Sequence, residues 1–213
     1  MPVCTLCHQN TAVHYHRNDI YTYLHCPVCD LVFVTPEERL PPADEKQRYD
    51  NHENDPNDPN YRDFLSQIFD PLKDRIEPNS YGLDFGSGPG PTLSIMFEEA
   101  GHRVETFDPF YANTPSVFNN SYDFITSTET AEHFYDPGKE FERLWKLLKP
   151  GGNLGIMTLL RPEDEPFGEW YYIKEDTHVS LYSEKTFRWL ANQLSAGLTI
   201  LGDRVILLHK RDI

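Results

Sequence analysis

Three features of the 213-residue sequence predict an α/β chain: a doubly wound, mostly parallel sheet with a C-terminal antiparallel hairpin strand, preceded by a small cysteine-rich module. From Tyr81 onward, strand-like runs alternate with segments of helical period, the pattern of a sheet wrapped by helices. A glycine-rich loop, "DFGSGPGPT", separates the first strand of that series from its first helix. All four cysteines lie in the first 29 residues, as "CTLC" and "CPVC". The expected organisation is a module over 1–35, a linker or lid with a helix over 36–78, and the main domain over 79–213.

The module comes first. Cys4 and Cys7 are followed, after eighteen residues, by Cys26 and Cys29. Two C-x2-C turns separated by roughly 15–20 residues are the spacing of a structural zinc site, because each turn aims two thiolates at one point. His8, His14, His16 and His25 crowd the same region and are expected at the surface or behind the ligands. Zinc ribbons often serve nucleic acids, but Arg17 is the sole Lys or Arg between Met1 and Thr35. A nucleic-acid module needs clustered cations. This one is expected to be structural, or a contact surface for the main domain or a protein partner.

The segment Pro36–Phe64 is rich in Asn, Asp and Pro and reads as consecutive turns. Tyr49, His52 and Tyr61 make it a candidate lid as well as a spacer. Leu65, Ile68, Phe69 and Leu72 then repeat at helical spacing, with a kink or restart expected at Pro71.

In the main domain, "YGLDF" reads as a strand, and Leu93, Met96, Phe97 and Ala100 as a helix stopped by Gly101. "HRVETFD", "YDFITST" and "NLGIMTL" are further strands, and "SVF" is a candidate vestigial one. Phe141, Leu144, Trp145 and Leu148 mark one helix; Phe187, Leu190, Ala191 and Leu194 mark another, with Ser183 as its cap. "LTIL" and "RVILLHK" close the chain around a Gly202-Asp203 turn.

Composition narrows the function. The net charge is −15, from 19 basic and 34 acidic residues, which disfavours a broad phosphate-binding surface. Nothing approaches the roughly 18–20 apolar residues of a membrane helix, and no secretory signal is visible. No membrane or nucleic-acid partner is therefore expected, and a cytoplasmic location follows by default.

The glycine loop follows a strand and opens a helix, the context in which such a loop binds a ligand. A dinucleotide fingerprint would place its third glycine at position 91, which is Pro91. The loop here runs Asp84-x-Gly86-x-Gly88-x-Gly90, and Asp108 ends the second strand. An acid there can accept hydrogen bonds from a ribose diol.

This constellation resembles the class I S-adenosylmethionine-dependent methyltransferases, over about Tyr81 to Lys210. "LDFGSGPG" looks like the family's first motif, "VETFD" like its second, "YDFITSTETAEHFYDP" like its fourth-strand motif, and "LLKPGGNLGIMT" like its post-motif. The resemblance implies a Rossmann-like fold. It also implies S-adenosylmethionine held by Asp84, Gly86, Ser87, Gly88, Gly90, Asp108, Thr128 and Glu129. One departure stands out: Asp108 to Tyr122 is too short for a full helix and strand, and Asn119-Asn120 stand where the family's adenine-contacting acid normally follows.

If the acceptor is a hydroxyl or an activated carbon, a base must take its proton. His133, after the fourth strand, and His178, in "EDTHVSLYS", are the candidates, with Asp176 placed to orient His178. Trp170, Tyr171 and Tyr172 either wall an acceptor pocket or pack over the sheet edge. The expected activity is methyl transfer to a small molecule. An RNA methyltransferase with a reading ribbon, and a non-catalytic cofactor-binding scaffold, are the two other readings.

Overall fold

The computed structural model describes residues 1–49 and 55–212, so His52 lies outside the described residues. Its centre is a six-stranded sheet of order β5-β4-β6-β7-β10-β9. The strands are β4 (Tyr81–Phe85), β5 (Arg103–Phe107), β6 (Tyr122–Thr128), β7 (Leu148–Met157), β9 (Gly197–Leu201) and β10 (Val205–His209). The first four run parallel, β10 is antiparallel to β7, and β9 is antiparallel to β10.

Side-chain alternation along each strand feeds two apolar layers. Phe124, Val205 and Leu207 face α2 (Pro59–Lys73) and α3 (Thr92–Glu99), where Leu65, Ile68, Leu93 and Phe97 are buried. Ile125, Ile206 and Leu208 face the other way, among Phe141 and Leu144 of α4 (Pro137–Leu147) and Phe187 and Leu190 of α5 (Glu184–Leu194). Each fully buried Phe or Leu contributes about 1.5–3 kcal/mol of transfer free energy. The helix starts follow from their caps. Asp58 accepts from Asn60 N, Asp136 from Lys139 N, and Ser183 forms a capping box with Thr186.

Two expectations need correction. α2 runs through Pro71 instead of restarting there; Leu65, Ile68 and Leu72, buried on one face on either side of it, hold the segment helical despite the bond that Pro71 cannot donate. "SVF" is no strand: Pro115–Asn119 is a 3-10 turn with Val117 buried, and among the described residues β5 is the sheet's edge. The chain between β5 and β6 is too short to turn back twice.

The cysteine-bearing N-terminus forms β1 (Val13–Arg17), β2 (Thr22–His25) and β3 (Val32–Val34). Its sheet is completed by β8 (Ser180–Leu181), a strand from far along the chain, through Val32↔Leu181 and Phe33↔Ser180. Leu6, Leu24, Leu31 and Phe33 join the same buried cluster as Phe134, Phe141 and Tyr182. Gly138 marks the closest approach: a Cβ there would lie 2.4 Å from the Leu6 carbonyl oxygen. A short helix, α1 (Pro42–Tyr49), leads on from this module toward the sheet's carboxyl edge. No helix among the described residues is long and apolar enough to cross a membrane.

Candidate functional site

The order of strands reverses between β4 and β6, and in open α/β sheets the crevice at such a point, beyond the carboxyl ends, is where ligands bind. Here a cleft of about 1170 Å³ opens at that point. Ordinary small-ligand pockets run to roughly 300–1,000 Å³, so the space admits a nucleoside-sized molecule and a second ligand beside it.

The glycine loop forms one wall. Gly86 and Gly88 adopt positive φ, 80° and 62°, which an L side chain disfavours. Gly86 is also boxed in: a Cβ would lie 2.2 Å from Thr130 Cγ2. Thr130 Oγ1 donates to the Gly86 carbonyl at 3.1 Å, tying the loop after β4 to the loop after β6. Ser87 lines the cleft, and its buried Oγ has no hydrogen-bond partner among the described residues. Gly90 keeps negative φ and, like Asp84, lies outside the lining. Asp84 works from beneath: it is 2% exposed and accepts from Ser94 Oγ and Thr126 Oγ1, stitching β4 to α3 and β6. Burial pushes its carboxyl upward in pKa.

Asp108 lines the cleft at the end of β5. Its Oδ2 accepts from Gly88 N at 3.0 Å, and its Oδ1 from Phe110 N and Tyr111 N. A carboxylate offers about four acceptor directions, so Asp108 organises its own loop and keeps one direction for a ligand. Asn120 does not reach the cleft lining; its amide donates to Oη of Tyr81, the first residue of β4, and to Glu105 Oε2 in the middle of β5.

The third wall is the turn after β6. Thr128 and Glu129 line the cleft, and Glu129 sits at φ 47°, a strained value for a non-glycine. Its Oε1 is buried with no hydrogen-bond partner among the described residues. Burial, with the Glu132 carboxylate beside it, pushes its pKa up to about 8. Glu132 is 1% exposed; Oε1 accepts from Tyr172 Oη, and Oε2 has no partner among the described residues.

His133 and His178 meet across the cleft with ring centroids 4.9 Å apart. Each gives Nδ1–H to a backbone carbonyl: His133 to Thr177 at 3.0 Å and His178 to Tyr172 at 2.7 Å. A carbonyl only accepts, so both tautomers are fixed with the lone pair on Nε2. Burial lowers the His133 pKa to about 4, keeping it neutral. Asp176 does not orient His178; it is paired with Arg48 at 2.8 Å. The aromatic run divides: Tyr171 and Tyr172 line the cleft, while Trp170, 2% exposed, packs in the module-side core.

Tyr135 and Glu45, which the sequence did not mark as site residues, line the cleft beside Glu132 of the fourth-strand motif. The i, i+3, i+4 spacing of Glu129, Glu132 and His133 was the available signal for Glu132. Glu45 on α1 and Tyr61 on α2 reach the cleft from the segment expected to act as a lid. Burial pushes the Tyr61 phenol up to about 12.

The four cysteines converge separately. Their Sγ atoms lie within 4.8 Å of one another, with Cys4–Cys29 and Cys7–Cys26 both at 3.5 Å, and none forms a disulfide. The two turns are alike. His8 N donates to Cys4 O at 3.0 Å and Asp30 N to Cys26 O at 2.8 Å, and His8 and Asp30 both take positive φ. Asp30 also receives Ser183 Oγ, Arg161 Nη2 and His25 Nε2, so the second turn is pinned to the cap of α5.

Residues 31–201 match the model of a family described as methyltransferase domain, and the chain belongs to that family. Among curated proteins it is 31% identical over 83 residues to the ubiquinone biosynthesis O-methyltransferase of Erwinia tasmaniensis, covering 39% of this chain and 34% of that one. The corresponding protein of Saccharophagus degradans is 32% identical over 84 residues, covering 38% and 34%. The chain thus spans about a third of the length of these relatives. Among solved structures, magnesium protoporphyrin IX methyltransferase from Synechocystis, with bound SAH, superposes with a TM-score of 0.53 at 13% identity, covering 79% of this chain and 94% of that one. An O-methyltransferase family protein from Burkholderia thailandensis gives 0.52 at 16% identity, covering 79% and 63%. The fold is that of the S-adenosylmethionine-dependent methyltransferases.

Proposed function

We propose that the chain transfers a methyl group from S-adenosylmethionine to a small-molecule acceptor, and that Cys4, Cys7, Cys26 and Cys29 hold a structural zinc ion. The observation that carries the first part is the crevice between β4 and β6. There Gly86, Gly88, Asp108 and Glu129 meet, and buried polar atoms of Ser87 and Glu129 have no hydrogen-bond partner among the described residues. When bound, the cofactor supplies an electrophilic methyl on a sulfonium. Gly88 and Ser87 bring main chain up to it, and Asp108 receives a ribose hydroxyl. Glu129, protonated in the ligand-free protein at neutral pH because burial and Glu132 raise its pKa to about 8, places its carboxyl group beside the positive charge, which favours the ionised form. Tyr172, Tyr171 and Tyr135 exclude water from the neighbouring space, where the acceptor lies against His133 and His178. His133 alone is a poor proton acceptor at neutral pH, because its pKa of about 4 is far from the operating range that favours a base. Proton removal therefore belongs to the corner that the two histidines share.

Zinc is favoured by the thiolate spacing. Four sulfurs about 2.3 Å from a tetrahedral zinc sit roughly 3.8 Å apart, close to the separations in the protein. The module contributes its β3 to the strand that carries the His178 loop, so the domain over 79–213 does not complete its acceptor wall alone. Acids outnumber cations along the cleft, with Glu45, Asp108, Glu129, Glu132, Asp136, Glu140 and Glu175 against Lys139, Arg143 and Lys174, which favours a small molecule over RNA.

Titration calorimetry with S-adenosylmethionine, its demethylated product SAH, and NAD tests the reading. One mole of either sulfur compound per chain is expected, and none in Gly88→Val. Binding of NAD alone would refute it.

A further inference from the structure

We propose that Glu132, His133 and His178 form a second metal site, for a divalent ion of borderline softness such as zinc, manganese(II) or iron(II), on the acceptor side of the cleft. The inference rests on the methyltransferase reading only for the ion's role, not for its binding.

Three independent observations converge. First, one ring nitrogen of each histidine and a carboxylate oxygen of Glu132 lie within 4.8 Å of one another. Ligand atoms about 2.0–2.2 Å from a common ion sit roughly 3–3.5 Å apart, so small side-chain rotations close the set. Second, each imidazole is built like a ligand. Nδ1–H is given to a main-chain carbonyl, Thr177 for one and Tyr172 for the other. That is the outer hydrogen bond that fixes the tautomer of metal-bound histidines and turns Nε2 toward the metal. Third, Glu132 is 1% exposed, its Oε1 is held by Tyr172, and its Oε2 is buried with no hydrogen-bond partner among the described residues. An isolated carboxylate oxygen is costly to bury unless a cation or donor meets it.

Two imidazoles and one carboxylate make a set that suits zinc, iron(II) or manganese(II) better than magnesium or calcium. The set comes from two loops: Glu132 and His133 follow β6, and His178 precedes β8. All three residues line the cleft, so the remaining coordination positions open toward the acceptor. A hydroxyl bound there loses its proton to water at a lowered pKa. The oxygen's electron pair then forms the bond to the methyl carbon, and the carbon–sulfur pair returns to sulfur. The ion thus takes the place of a histidine base.

The test uses the full chain with its thiolate site filled by zinc, and Co²⁺ as the probe. One further Co²⁺ per chain is expected, with visible ligand-field bands and no thiolate charge-transfer absorption. His178→Ala and Glu132→Gln should each weaken it by roughly 10–100-fold or more. His178→Cys should retain the ion and add a thiolate band, which guards against a variant that merely misfolds. Absence of the further Co²⁺, bands that are thiolate in wild type, or an affinity unmoved by His178→Ala would each overturn the proposal. SAH calorimetry on the same sample keeps the two readings apart: its failure removes the methyltransferase reading, while the cobalt result still decides this one.

Discussion

Replacing Gly86 by alanine perturbs the junction on which the cleft depends, and its cost can be worked from the structure. At φ 80° an L residue costs about 1–2 kcal/mol. The new Cβ would also lie 2.2 Å from Thr130 Cγ2 and 2.4 Å from its Oγ1, so Thr130 must move. It then gives up the single hydroxyl proton that it shares between the carbonyls of Gly86 and Thr128, worth about 1 kcal/mol in all. The expected loss is about 2–3 kcal/mol, and if it falls on the bound state SAH affinity drops by roughly 30- to 150-fold. Calorimetric titration with SAH, with urea unfolding in parallel, separates lost affinity from lost stability. Gly86→Ala combined with Thr130→Ala should lose no more than Gly86→Ala alone, because the hydroxyl is already displaced in the single variant, while the φ penalty and the 2.8 Å approach to the residue-130 Cβ stay. A single variant that binds SAH within twofold of wild type and unfolds at the same urea concentration would refute the reasoning.

Two further outcomes are expected. Glu129 has a folded pKa of about 8, raised above its unfolded value, so the native state binds the extra proton and stability falls as pH rises toward 8. His133, lowered to about 4, works in the opposite sense below about pH 6.5. The ligand-free protein should therefore lose stability between about pH 6.5 and 8, and Glu129→Gln should flatten that slope in urea titrations; a slope unchanged in the variant would count against it. Cys26→Ser with Cys29→Ser should abolish zinc in metal analysis and speed amide exchange over 177–182 and 130–134, because β3 backs β8 and Val179 N donates to Glu132 O; unchanged exchange would mean that the module does not support the site.

The sheet was readable because its strands and helices carry their own periods: "YGLDF" and "YDFITST" became β4 and β6 residue for residue. One helix start was readable from its cap, Ser183. Local pattern could not show pairings made at long range. β8 joins the module through two residue pairs, too short a strand to declare itself in sequence. The site divides in the same way. Gly86, Gly88, Asp108, Glu129, His133 and His178 all line the cleft. Asp84 and Gly90 do not, because the motif names a loop and leaves open which of its residues face outward. Asp176 stands close to His178 in sequence, yet Arg48 from α1 claims it. The Tyr172 link to Glu132 spans forty positions, and nothing in either segment alone announces it.

The most direct test of the central claim is a crystal structure of the chain with SAH. The account predicts SAH in the crevice between β4 and β6, with its ribose on Asp108, its thioether beside Glu129, and the His133–His178 corner left open for the acceptor. SAH bound elsewhere, or its adenosyl group lying toward Asn119 and Asn120 and away from Asp108, would contradict it.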